Sequence, residues 1–260
     1  KARGFVAEIA AIRGWNYQEP IAFAYLDRLQ VKRDMEALFD KEYTPERIDQ
    51  EEFIYKWLGL LPEGADYKIS AINAEINGVA AYYDPASKRI ILGDWLNPVL
   101  GEAVLVHEMT HFIQDALFNV EAYEQREDVK GNYDARLAYT ALLEGEATAV
   151  MLQYLLRKDG KDFRSLPSVG EEIERDFLRG EEYSRENIEY NLYTHGTGFI
   201  QACLKGREWS WLDTVHKMPP VSMRQILHPA DFLEAERSAT AVAGVRALSL
   251  PEGWECLYSN

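Results

Sequence analysis

The sequence predicts a mainly helical α+β fold in which a small sheet comes just before a helix carrying two histidines. Three observations predict it. Apolar residues recur at three- and four-residue spacing along most of the chain, as they do on the buried face of a helix. Two short β-prone runs, Val79–Tyr83 and Arg89–Leu92, flank the turn-forming stretch Asp84-Pro85-Ala86-Ser87-Lys88 and read as a hairpin. Residues 107–111 then read His-Glu-Met-Thr-His.

Composition narrows the class. With 260 residues, 47% hydrophobic and 27% charged, the chain can bury a sizeable core and has neither a disordered nor a fibrous composition. Its 28 basic and 43 acidic residues give a formal charge of −15, which opposes binding to phosphate backbones or anionic lipid, so nucleic acid is not an expected partner. No apolar run approaches the roughly 18 residues that span a bilayer. Cys203 and Cys256 are too few for a disulfide framework or a zinc knuckle, and can be buried thiols or one bridge. The chain starts at Lys1, so a leader could have been removed, consistent with export; the compartment itself cannot be read.

In chain order, Phe5, Val6, Ile9 and Ile12 predict an opening helix ending near Gly14. Ile21–Leu26 reads as a buried strand, followed by a helix from Asp27 to about Lys41. Thr44 is an N-cap with Pro45 at the first helical position, opening a helix that runs to Leu58 and stops at Gly59. A further helix spans Tyr67–Ile76 and leads into the hairpin, which either is purely structural or offers a strand edge to an extended substrate. Asn97-Pro98 opens the histidine helix, expected to run to about Phe118, and residues 119–133 form a polar surface connection. A long helix covers about Asp134–Lys158, stopped by Asp159-Gly160. Beyond it, Val169–Leu178 and Tyr190–Leu204 read as helices. Trp209-Ser210-Trp211 opens a shorter one, and Met223–Leu227 forms a turn closed by His228-Pro229. Residues 1–160 thus form one subdomain and residues 161–260 a helical second part closing a cleft, unless the two make one compact domain.

His107 and His111 lie one turn apart on a single helix face, so both can direct an imidazole nitrogen at one metal ion. Glu108 lies about 100° around that helix, where a general base for a metal-activated water belongs. The later helix carries Glu144-Gly145-Glu146 within an apolar run. Unpaired buried charge and mid-helix glycine are both costly, so these residues need a physical reason. A metal supplies one. Glu144 and Glu146 are about 200° apart and cannot easily serve the same ion. Glu144 is flanked by the small residues Thr140, Ala141, Ala147 and Thr148, which allow close helix approach, so it is the expected third ligand. Glu146 is expected to pair with an arginine in the interior.

His107-Glu108-Met109-Thr110-His111 followed by Glu144-Gly145-Glu146-Ala147 resembles the gluzincin metallopeptidases, in which H-E-x-x-H is completed by a glutamate in an E-G-x-A context. More narrowly, Ala81-Tyr82-Tyr83-Asp84-Pro85, both helices, and the stretch from Pro219-Pro220 to Ile226-Leu227-His228-Pro229 resemble a little-characterised group of bacterial predicted metallopeptidases, over about residues 80–233. The resemblance implies a zincin-like fold, Zn²⁺ held by His107, His111 and Glu144, and peptide or protein substrates. Two departures stand out. His111 and Glu144 are farther apart in sequence than in thermolysin-like members, and Thr148 stands where those enzymes place an aspartate. The metzincin extension is missing, because Gln114 and Leu117 occupy the positions of its glycine and third histidine.

Hydrolysis of an amide also calls for a donor to the developing oxyanion. Tyr193, His195, His216 and His228 are available, and the resemblance favours Tyr193 and His228. The expectation is a zinc metallopeptidase with Glu108 as base, Tyr193 and His228 as further catalytic candidates, and a water completing the metal shell. Two rival readings are a binding or scaffold protein holding zinc for stability and a zinc hydrolase of non-peptide amides.

Overall fold

The computed structural model describes residues 2–78, 81–96, 101–169 and 185–238. Its sheet is built from β1 (Ala22–Leu26), β2 (Ala81–Asp84) and β3 (Arg89–Gly93) in the order β1-β3-β2. β2 and β3 form the antiparallel hairpin, with Ala81 opposite Leu92 and Asp84 opposite Arg89. β1 runs parallel to β3, Ala22 opposite Arg89 through Leu26 opposite Gly93. A parallel pair needs a long crossover. Here α2 (Arg28–Glu42), α3 (Pro45–Trp57) and α4 (Tyr67–Gly78) lie within it. They enclose a small core of Val31, Phe39, Tyr67, Ala71, Ile72 and Ile76.

Local caps explain these boundaries. Asp27 closes a capping box with Gln30, Thr44 accepts from the Arg47 N–H ahead of Pro45, and Gly59 takes φ +72 just past α3, a conformation that disfavours any side chain.

The larger core gathers around α1 (Ala2–Arg13), α5 (Gly101–Phe118) and α8 (Tyr133–Arg157), with Ile9, Val106, Ile113, Ala138 and Leu142 all buried. The sheet packs on α5 through β2 and β3. The polar connection expected after α5 is instead two short helices, α6 (Val120–Glu124) and α7 (Glu127–Lys130). Asn119, at φ 52, ends α5 in the left-handed region and caps α6 by accepting from Ala122 N–H. Tyr123 then packs on Tyr139 at 3.9 Å between ring centroids, and Val129 is buried, so these two apolar residues tie the segment to the core.

In the second part, α9 (Arg185–Leu204), α10 (Leu212–Lys217) and α11 (Met223–Leu227) follow the predicted order. Pro229, whose lost N–H costs nothing at a helix start, opens a further helix, α12 (Pro229–Ser238). The expected helix start at Asn97-Pro98, nearly all of the helix over residues 169–178, Val79 and Cys256 lie outside the described residues. Cys203 is buried in the larger core.

α8 makes its most extensive contacts with α9 and then α5. The α8–α9 contact is backbone on backbone: a Cβ on Gly145 would overlap the Gly196 carbonyl, and one on Gly196 would overlap the Ala141 carbonyl. Gly145 therefore answers to α9. Replacing either glycine by alanine must push two helix backbones apart, an overpacking cost of about 3 kcal/mol or more. We expect Gly145→Ala and Gly196→Ala each to lower the thermal midpoint by several degrees. An unchanged midpoint would contradict the close contact.

Candidate metal centre

α5 and α8 bring three side chains together. His107 Nε2 and His111 Nε2 stand 3.0 Å apart, and Glu144 Oε2 lies 3.1 Å from each. The i, i+4 spacing on α5 turns both imidazoles to one side, with ring centroids 4.7 Å apart, and α8 crosses there to present Glu144. Neighbouring donors in a tetrahedral shell with bonds of about 2.0–2.1 Å lie about 3.3 Å apart, so three nitrogen and oxygen atoms at this spacing need only small shifts to hold one ion. They are the described residues whose donor atoms group as a candidate metal site.

The electrostatics favour a cation. Burial alone would neutralise Glu144, but His111 and His107 beside it outweigh that and hold its carboxyl well below the usual range. Burial likewise penalises a charged His111, yet the adjoining Glu144 carboxylate overrides it and pushes the imidazole up to about 9. The same negative potential would draw a divalent ion.

Glu108 sits beside this group. Its Oε2 accepts the Tyr83 backbone N–H at 2.9 Å, so β2 fixes the carboxylate and its own outward N–H is taken at that position. Burial raises the Glu108 pKa, opposed in part by His107 and His111. The hairpin is itself fastened to α5, because Tyr83 Oη donates to Asp115 Oδ2 at 2.6 Å and Lys88 pairs with the same carboxylate.

Of the candidate donors, Tyr193 borders the group, its ring stacked 5.9 Å from that of His107 and 39% exposed. His195 is half-buried, and burial lowers its pKa. His216 is committed elsewhere: Nε2 donates to Glu146 Oε2 at 2.6 Å, and the ring lies flat on Phe118, 3.9 Å between centroids. His228 is an exposed residue at the C-cap of α11, its backbone N–H closing on the Arg224 carbonyl.

Glu146 points away from the metal group into a buried cluster that reaches the surface at Asp213. Its carboxylate receives the Arg13 Nε–H, and Arg13 also binds the Trp209 carbonyl and Asp213 Oδ1, the last at 2.9 Å. Trp15 lies under the guanidinium, 4.5 Å from it, and its indole N–H donates to Asp213 at 3.2 Å. Gln114 joins this cluster to His111. No sequence motif marks Arg13, Asp115 or the inward role of Gln114. Gln114-Asp115 within Phe112-Ile113-Gln114-Asp115-Ala116-Leu117 was the available signal, a polar pair interrupting an apolar run.

Burial opposes ionisation of Glu146, but Arg13 and His216 outweigh it and bring its pKa well below the ordinary 4.5. A carboxylate depressed in the folded state adds stability above its unfolded pKa and loses it as pH falls through the folded value. The native protein should therefore lose stability from about pH 4.5 downward more steeply than Glu146→Gln does in urea titrations. At neutral pH that variant, which leaves buried Arg13 with Asp213 as its remaining carboxylate, should be less stable by roughly 3 kcal/mol. Parallel acid slopes for the two proteins would contradict the buried pair.

No protein-family model, curated protein or solved structure matches this chain.

Proposed function

We propose that the protein is a zinc-dependent hydrolase of peptide bonds, with His107, His111 and Glu144 as metal ligands and Glu108 as general base. The observation that carries this reading is the convergence of two imidazoles and a carboxylate at 3.0–3.1 Å with a further carboxylate alongside, fixed by a backbone N–H. A purely structural zinc site has no use for such a base and usually closes all four positions with protein ligands, whereas this group offers three among the described residues. When bound, zinc would supply Lewis acidity, lowering the pKa of a coordinated water toward about 7 and polarising the scissile carbonyl.

The chain's own residues then divide the work. Glu108 accepts a proton from the attacking water and returns it to the leaving amine; its raised pKa brings it nearer the working range of a general base. The Tyr83 N–H keeps that carboxylate in one orientation between the two transfers. Tyr193, at the side of His107, is the donor best placed for charge developing on the carbonyl oxygen. No helix among the described residues is long and apolar enough to cross a membrane.

Glu108→Gln should lower hydrolysis of an unstructured protein such as casein by about 10²–10⁴-fold while keeping bound zinc, since general acid–base catalysis contributes on that scale. His107→Ala and Glu144→Ala should abolish both, read by elemental analysis after dialysis against zinc. Full activity in Glu108→Gln would contradict the assignment. Zinc bound by the native protein with no hydrolysis across a peptide, protein and amide panel would favour a structural site.

A further inference from the structure

We propose that Gln114 is the positioning residue of the centre, fixing His111 with its proton on Nδ1 and its Nε2 lone pair toward the metal, and that the buried Glu146 cluster sets Gln114. This rests on His111 being a metal ligand.

The orientation follows from which neighbours can only accept. On one side of the Gln114 side chain lie Glu146 Oε2 at 2.6 Å and the Leu143 carbonyl oxygen at 3.2 Å. The Glu146 carboxylate is held ionised by Arg13 and also receives the His216 Nε2–H, so it accepts and cannot donate. A backbone carbonyl can only accept. Both hydrogens of the Gln114 amide are thereby assigned to this side. A flipped amide would set its oxygen against two acceptors in the interior, at the cost of unsatisfied buried groups.

With the nitrogen so placed, Oε1 faces His111 Nδ1 at 2.9 Å. An amide oxygen accepts, so Nδ1 must carry a proton. In a neutral imidazole this leaves Nε2 unprotonated, and Nε2 is the atom 3.0 Å from His107 Nε2 and 3.1 Å from Glu144 Oε2. α8 therefore grips the motif helix twice, directly through Glu144 and through Glu146 by way of Gln114. The partner is an amide in place of the more usual carboxylate, so the centre gains orientation without another negative charge beside its ligands.

The test uses the full chain loaded with zinc or cobalt(II) alone. Gln114→Met keeps the side-chain length and removes all three of its side-chain hydrogen bonds. It should weaken zinc binding by about 10–100-fold in competition with a chromophoric chelator, and should alter the visible absorption of the cobalt(II) form, which a purely structural role would not move. Native affinity and an unchanged cobalt spectrum in a folded Gln114→Met protein would overturn the proposal. Should that variant not fold, long-range ¹H–¹⁵N spectra of the native zinc-loaded protein decide directly. They should show His111 protonated at Nδ1 and bound through Nε2, and metal on Nδ1 would overturn it. If the native protein bound neither ion, the metal-centre reading itself would fall, and the role of Gln114 with it.

Discussion

Two carboxylates on one buried helix, each requiring its own compensation, constrain the architecture around α8. A carboxylate removed from water must find opposite charge or hydrogen-bond donors, or it ceases to be ionised. Glu144 meets the two imidazoles of α5, and Glu146 meets Arg13 from the end of α1 together with His216 from α10. Because the two side chains leave the helix in different directions, α8 meets the motif helix through Glu144 and the α1 and α10 segments through Glu146, which Gln114 of the motif helix also reaches. The glycine between them admits α9 at backbone contact. Three consecutive residues thus specify three different neighbours, which is why the long helix sits where it does.

Much of this was legible in the sequence. Thr44-Pro45, Asp27 and the glycines at positions 14, 59 and 160 mark local boundaries that depend on nearby backbone chemistry, and the helices end where those residues require. The hairpin was equally clear, since its turn chemistry is local. The pairing of β1 with β3 was not, because it joins residues about 67 positions apart and nothing in Ala22–Leu26 names its partner. Residues 119–133 misled for a different reason. Their polar composition is real, yet Tyr123 and Val129 are buried and Val120 packs beside them, which binds the stretch to the core.

At the site, the spacing of His107, Glu108 and His111 could be read because a single helix imposes it, and Glu144 could be inferred because a buried acid demands an explanation. The arginine expected beside Glu146 is Arg13, whose identity the sequence could not give, because the pair spans 133 positions. Gln114 was invisible for a subtler reason. Its role depends on what stands on both sides of its amide, and those groups come from α5 and α8 together. The four candidate donors of the second half differ likewise by placement alone: Tyr193 flanks His107, whereas His216 serves the buried cluster and His228 caps an exposed turn.

The proposed function depends on α5 and α8 jointly holding one metal ion through two imidazoles and one carboxylate. X-ray absorption at the zinc edge of the zinc-loaded protein tests it most directly. The zinc-loaded protein should show a shell of about four light atoms at roughly 2.0–2.1 Å with outer scattering from two imidazole rings. A shell containing sulfur, or one without imidazole scattering, would contradict it.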